Sequence, residues 1–229
     1  MSENHGVTDA YERRYGSFEG HPGFIGETRS VDVLLGALER RRLIELGRYR
    51  SYADLGCGLG FKTYAFARHF EHSVGFDVAK TAVELANRLN DLPTLAFRVA
   101  DVLTYEPDEA FDFVTAIGLS AFNSADAGQT AGRIVALADR YLADGGVFLV
   151  VMDTDCSGST HDGWYHLSAR ELRRLAGEVE ASERYRARLY APQRDAHTYV
   201  TFGAEFALRE LGKWVLRQPR THCLLVNRA

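Results

Sequence analysis

Three glycines in the run Asp54-Leu55-Gly56-Cys57-Gly58-Leu59-Gly60 stand between a short apolar segment and a segment of helical pattern, with a carboxylate ahead of them. Glycine at such a turn lets the backbone bend sharply and approach a ligand with no Cβ in the way, so a nucleotide-like cofactor is the natural occupant. A dinucleotide fingerprint requires G-x-G-x-x-G, whereas Phe61 takes the place of the last glycine and the pattern here is G-x-G-x-G. Asp54 would repel a pyrophosphate and attract an ammonium group, which favours a cofactor without pyrophosphate. Asp77, 21 residues after Gly56, closes the next apolar run, where a carboxylate accepts from both hydroxyls of a ribose. Asp101 closes the third run, suited to an exocyclic adenine amine, while Val102 offers its backbone N–H. Val78, beside Asp77, and Cys57, inside the turn, complete the set; a small residue suffices at Cys57, which needs no chemistry of its own.

These residues need a scaffold that brings strand ends together. Apolar runs at 52–55, 73–77, 95–99, 111–117 and 146–151 alternate with helix-like segments at 61–70, 79–90 and 124–143. Strands that are apolar at nearly every position, separated by amphipathic helices, are what a parallel sheet covered on both faces requires. The fold class expected is α/β: a doubly wound, mainly parallel seven-stranded sheet with helices on both faces and a C-terminal antiparallel strand pair at 183–191 and 221–227. A helix from Arg29 to Leu46 should precede the first strand, stopped by Gly47. Ser168-Ala169-Arg170-Glu171 reads as a capping box opening a helix through Leu172, Leu175 and Val179. Residues 199–216, with Phe202, Phe206, Leu208, Leu211 and Trp214, suggest an inserted helix with an aromatic face.

The size of 229 residues, 46% of them hydrophobic, suits one domain over 1–229: an N-terminal flap at 1–28, a cofactor-binding core at 29–155, and a substrate-side loop, helices and closing strand pair at 156–229. Met1-Ser2-Glu3-Asn4-His5 has no basic region ahead of an apolar run, so a cytoplasmic protein is expected. Cys57, Cys156 and Cys223 lack CxxC spacing and read as reduced thiols. A net charge of -4 offers no general attraction to phosphate backbones, which points to a small-molecule partner rather than nucleic acid or membrane. A homodimer stays open.

The motifs D-L-G-C-G-L-G at 54–60, Asp77 ending the second strand, Ala100-Asp101-Val102 ending the third and Phe111-Asp112-Phe113-Val114-Thr115-Ala116-Ile117-Gly118 on the fourth resemble the class I S-adenosylmethionine (SAM)-dependent methyltransferases. The resemblance covers roughly residues 30–155, and the later strand pair fits the closing hairpin usual in that family. It implies SAM as cofactor, with Gly56 and Gly58 lining the methionine end, Asp77 the ribose, Asp101 and Val102 the adenine, and Ile117 or Gly118 giving backbone contacts near the amino-acid moiety. Many small-molecule members carry a histidine shortly after the fourth strand, whereas this chain has Gly118-Leu119-Ser120-Ala121-Phe122-Asn123.

Methyl transfer from a sulfonium is an in-line displacement, so positioning matters most and a base helps only an acceptor that must lose a proton. His161 and His166, in the polar loop from Asp153 to His166, are the candidate bases, although a loop histidine is more often solvated or capping. The resemblance implies that a flap tyrosine, Tyr15 or Tyr11, closes over the sulfonium, where aromatic faces attract a cation. The plainer reading has both tyrosines pin the flap to the core. Asp153 and Asp155 with Asn123 could offer oxygen ligands to magnesium, but nothing fixes them at one site, and His161 with His166 as a transition-metal pair is weaker still; no metal is expected. The arginines alternating through 183–190 read as the solvated face of an edge strand, with an anionic substrate as the lesser alternative. Trp164 divides between core packing and an acceptor pocket.

The leading expectation is methyl transfer to an O or N atom of a small-molecule acceptor, a specialised metabolite or a sugar. A non-catalytic SAM-binding regulatory subunit would bind cofactor without turnover. An NAD(P)-dependent oxidoreductase is disfavoured by the missing glycine and the lack of a Tyr-x-x-x-Lys pair.

Overall fold

The computed structural model describes residues 3–16, 24–161, 163–192, 210–213, 216 and 218–229. Its helices are α1 (Glu3–Gly16), α2 (Phe24–Arg40), α3 (Phe61–Ala67), α4 (Lys80–Leu89), α5 (Ala127–Tyr141) and α6 (Ala169–Glu180). Its strands are β1 (Ser51–Leu55), β2 (His72–Asp77), β3 (Leu95–Val99), β4 (Phe111–Ile117), β5 (Leu142–Thr154), β6 (Ser159–His161), β7 (Trp164–His166), β8 (Tyr185–Tyr190) and β9 (Arg220–Arg228).

Seven strands form one sheet in the order β3-β2-β1-β4-β5-β9-β8. The pairs from β3 through β5 are parallel, and β9 inserts antiparallel between β5 and β8. This is the doubly wound sheet that the apolar runs call for, including its antiparallel C-terminal pair.

Successive side chains of a strand point to opposite faces, so a strand buried on both sides must be apolar throughout. Val114, Phe148, Val150, Leu224 and Val226 face one layer, where they meet Ile134, Leu137 and Ala138 of α5 and Leu172, Leu175 and Val179 of α6. Their immediate neighbours Phe113, Leu149, Val151 and Leu225 face the other, against Leu35 and Leu38 of α2 and Ala65 and Phe66 of α3. Burying a side chain of this size contributes about 1.5–3 kcal/mol, so the two layers together hold the strand ends that face the site.

The helix expected through Leu46 ends instead at Arg40. Leu43 N bonds Leu38 O at 2.9 Å and Arg42 N bonds Glu39 O at 2.8 Å, the paired bonds of a Schellman close, with Arg42 in the left-handed region at φ 54°. Glycine usually fills that position and arginine does here, so Gly47, beyond the true end, gave a misleading stop. The capping box of α6 is present: Ser168 Oγ accepts from Glu171 N, and Glu171 Oε2 accepts from Ser168 N.

Two further elements depart from expectation. The region expected as a flap contains helix α1, whose Glu12 accepts from the amides of Lys80 (2.6 Å) and Thr81 (3.2 Å) at the start of α4. Ala79, at the N-cap of α4, has no side chain to offer these amides, so Glu12 supplies the cap across 68 residues of sequence. The loop after the fifth parallel strand contains a ribbon in which Ser159 pairs with His166, Thr160 with Tyr165 and His161 with Trp164. Of the inserted helix expected at 199–216, residues 210–213 are helical and most of the rest lies outside the described residues.

Candidate active site

Between β1 and β4 the strand order reverses direction, and α/β sheets bind ligands beyond the carboxyl ends of strands at such a point. A cavity of about 520 Å³ opens there, within the range of ~300–1,000 Å³ usual for small-molecule sites.

One wall is the glycine turn. Gly56 N and Cys57 N both bond Phe76 O, at 2.8 and 2.9 Å, which ties the turn to the end of β2. Gly58 has φ 52°, and a Cβ there would lie 2.7 Å from the Tyr15 hydroxyl; at Gly60 it would lie 2.5 Å from the Phe97 ring. The first position thus keeps room between turn and flap, and the second lets the turn pack on β3 and α4. Cys57 packs with Val83, Ala86 and Phe97 on the side away from the cavity, and burial pushes its thiol pKa well up. Cys57, expected in the cofactor set, is not part of the cavity lining.

Asp77 is only 8% exposed and lines the cavity together with Val78. Gly58 N donates to its Oδ2 at 2.8 Å and Ala79 N to its Oδ1 at 2.9 Å, which fixes the carboxylate in orientation. A carboxylate has about four lone-pair sites, so two backbone donors leave capacity for two hydroxyls. Burial raises the Asp77 carboxyl above the ordinary range against the opposing pull of the Ala79, Gly58 and Val78 amides. Asp101, Val102, Ile117 and Gly118 line the same cavity. Asp101 Oδ1 accepts from Leu103 N at 3.0 Å, a turn that holds its side chain at the strand end.

Asp54 is placed differently from expectation. It is 3% exposed, does not belong to the cavity lining, and accepts from Thr63 Oγ1 (2.6 Å) and Thr115 Oγ1 (2.7 Å). It braces α3 and β4 beneath the turn, and burial raises its carboxyl despite those two hydroxyls. A charge expected to meet a ligand's ammonium is spent internally, because β1 is buried at every residue.

Of the three candidate catalytic residues, Tyr15 alone lines the cavity, stacked on Tyr11 at 6.1 Å between ring centroids. His161 and His166 share a ribbon face with Trp164 but lie outside the cavity lining, against Asp155. Trp164 stands on the rim, positioned by Asn123, which donates to Gly163 O at 3.0 Å and accepts from Tyr165 N at 2.7 Å. With Asn123 so engaged and Asp153 accepting from Thr221 Oγ1 at 2.9 Å, the oxygen set considered for magnesium does not converge.

The cavity also has a cationic lining side chain that sequence reasoning did not single out: Arg133, whose Nη1 donates to Ala121 O at 2.6 Å. It sits in mid-helix, where spacing gives it no distinguishing mark.

Residues 53–146 match the family described as "Methyltransferase domain". The match spans the glycine turn, Asp77, Asp101 and the end of β4, whereas Tyr11, Tyr15 and Trp164 of the cavity lining lie outside it. The chain is similar to that family over these 94 of its 229 residues. Trans-aconitate 2-methyltransferase of Methylobacterium radiotolerans is 32% identical over 127 residues, covering 55% of this chain and 46% of that protein. A probable thiol methyltransferase 2 of Arabidopsis thaliana is 40% identical over 63 residues, 26% of this chain and 28% of that protein. The chain thus spans less than half the length of these curated relatives. A solved DhpI–SAM–HEP complex superposes with a TM-score of 0.63 at 16% identity, covering 99% of both chains, so the matched region and the closing β8–β9 pair share one known fold. Among the described residues no helix is long and apolar enough to cross a membrane.

Proposed function

We propose that the protein transfers a methyl group from SAM to an O or N atom of a small-molecule acceptor. The observation that carries this reading is the placement of Asp77: a buried carboxylate that lines the cavity and is fixed by one backbone amide of the glycine turn and one at the start of α4. The fit is supported by Gly58, where a Cβ would fill the space beneath Tyr15.

In this reading Asp77 accepts the ribose hydroxyls, Asp101 and Val102 border the adenine, and Ile117 and Gly118 face the amino-acid end. Bound there, SAM would supply an electrophilic methyl group on a sulfonium. Tyr15, with Tyr11 stacked behind it, presents a phenolic oxygen and aromatic face where a cation is favoured. Trp164 at the rim and the flap exclude water and hold the acceptor, so positioning supplies most of the acceleration. The names of the relatives point to small acceptors, and trans-aconitate is itself anionic. The whole of 1–229 acts as one unit, flap and substrate-side ribbon serving the core.

Calorimetric titration with SAM and S-adenosylhomocysteine, followed by a methyl-transfer assay over small carboxylates, amines and alcohols, tests the proposal. Saturable binding that Asp77→Ala weakens about 100-fold is expected, since two hydrogen bonds to a charged acceptor are worth ~3 kcal/mol or more. Binding of a nicotinamide dinucleotide in place of SAM would overturn it, and SAM binding without turnover on any acceptor would leave a regulatory subunit.

A further inference from the structure

The ribbon β6–β7 carries a cluster of side chains that the cavity does not use. Ser159 pairs with His166 and His161 with Trp164, so His161 and His166 are diagonal neighbours on one face of the ribbon. Their rings are parallel to within 1°, with centroids 3.7 Å apart. Both stand against Asp155, one residue beyond β5: His161 Nε2 lies 2.8 Å from Oδ2, and His166 Nδ1 lies 3.9 Å from Oδ1. One ligand atom from each of the three residues falls within 4.8 Å of the others.

The decisive feature is His166. It is 4% exposed, and neither Nδ1 nor Nε2 has a hydrogen-bond partner. Buried polar side-chain atoms are nearly always paired, and an orphan marks a place where a water or an ion belongs. At 3.9 Å the Nδ1 is too far from Asp155 to hydrogen-bond it, yet near enough for both to reach one cation between them.

We propose that Asp155, His161 and His166 bind a divalent transition-metal ion of the zinc class. Two imidazole nitrogens with one carboxylate suit such an ion, whereas magnesium and calcium favour oxygen-only sets. Metal–ligand bonds of ~2.0–2.1 Å at tetrahedral angles separate neighbouring donor atoms by roughly 3.3 Å, and the observed 2.8 and 3.9 Å lie on either side of that spacing. To place a nitrogen of each imidazole on one ion, the two stacked rings, parallel to within 1°, must turn toward each other. Ser157 N donates to Asp155 Oδ1 at 2.8 Å and orients the carboxylate, the support that metal ligands usually have behind them. The His161 side chain is 37% exposed, which leaves an entry path and room for water as the remaining ligand.

The consequence is local order. Each strand of the ribbon is three residues long, too short to be stable alone, and its tip carries Trp164 to the rim of the cavity. A cation tying β6, β7 and the end of β5 would set the position of that wall without entering the methyl-transfer chemistry.

The test uses the full chain, stripped with a chelator and titrated with cobalt(II) while visible absorption is followed, then with zinc(II) in competition. A single equivalent of cobalt giving a d–d band, displaced by zinc, is expected. His161→Asn and His166→Asn should each weaken binding more than 100-fold, beyond the ~10–100-fold that losing a supporting partner costs. Because His166 is buried and its variant could fail to fold, circular dichroism accompanies both, and the half-exposed His161 provides the deciding variant. No saturable cobalt or zinc binding by the folded chain, or binding that His161→Asn leaves intact, would overturn the proposal.

Discussion

Asp77 and Asp155 are both carboxylates at the carboxyl ends of sheet strands, yet their surroundings are built in opposite ways. Asp77 is held by backbone amides of Gly58 and Ala79, one residue in a glycine turn and one at the start of α4. Asp155 is held by the Ser157 amide and faces two imidazoles that reach it from a separate ribbon. Burial raises the Asp77 carboxyl, whereas at Asp155 the bonds from Ser157 and His161, with His166 nearby, outweigh burial and lower it. The first arrangement depends on chain conformation and so on glycine; the second depends on side-chain identity and ribbon register. A backbone cradle keeps its remaining acceptor capacity for a neutral hydroxyl-bearing ligand, while a cluster of imidazoles around a carboxylate is preorganised for a cation.

The sharpest way to break this comparison is to cross the two sites. Asp77→Ala should weaken SAM about 100-fold and leave cobalt uptake at the ribbon unchanged, while His161→Asn should do the reverse. Calorimetry and cobalt absorption on both variants check it. Equal loss of both ligands in either variant would mean that one carboxylate supports the whole region and the sites are not separate.

The same contrast explains what was legible in the sequence. The glycine turn, Asp77 and Asp101 could be read because each is tied to a strand end within a short window, and strand ends are marked by the close of an apolar run. The sheet was legible for the same reason, since burial on both faces leaves continuous apolar segments such as 111–117. The ribbon was not, because three-residue strands carry too little period to separate them from a polar loop. Asp54 was misplaced because sequence gives its position before the turn but not that Thr63 and Thr115 claim its oxygens. The end of α2 was missed because Arg42 takes the place of a glycine, and Glu12 was missed because its partners lie 68 and 69 residues away.

Gly58→Ala probes the backbone cradle at a smaller scale. The added methyl meets the Tyr15 hydroxyl at 2.7 Å and adopts φ 52°, a conformation that costs a non-glycine residue about 1–2 kcal/mol. A fall in Tm of about 2–8 °C and a loss of SAM affinity of about ten-fold are expected, by calorimetry and thermal melting. Tyr15→Phe in the same chain should recover part of the affinity by removing the hydroxyl in the way. An unchanged affinity in Gly58→Ala would show that the turn and flap are not held at the distance described.

Acidification separates affinity from stability at the same site. The folded state holds the protons of Asp77 and Asp54 more tightly than the unfolded chain does, so both residues cost stability at neutral pH. That cost is relieved as pH falls through their raised values toward the ordinary 3.8. SAM affinity moves the other way, because a protonated Asp77 loses acceptor capacity. Affinity measured by calorimetry should decline as pH falls toward the ordinary aspartate value of 3.8, before an unperturbed aspartate would protonate. Above the ordinary aspartate value, Asp54→Asn should flatten the pH dependence of Tm, and an unaltered profile would show that its charge is not the group relieved.

The smallest effect expected belongs to Glu12, which connects the flap to the cradle. Its carboxylate accepts from Lys80 N and Thr81 N, and those bonds hold its own pKa down, the Thr81 side chain contributing most. Charge at a helix N-terminus is worth ~0.3–1 kcal/mol, so Glu12→Ala should loosen α1 from α4 and weaken SAM about 2–5-fold through Tyr15, one turn along the same helix. Glu12→Gln, which keeps an acceptor without the charge, should fall between, and raising the salt concentration should shrink the difference between wild type and both variants. Cobalt binding at the ribbon should not respond, since Asp155, His161 and His166 lie outside the cavity lining to which Tyr15 belongs. An affinity for SAM that survives Glu12→Ala unchanged would mean that Tyr15 is held over the glycine turn by its own stacking on Tyr11 and not by the cap.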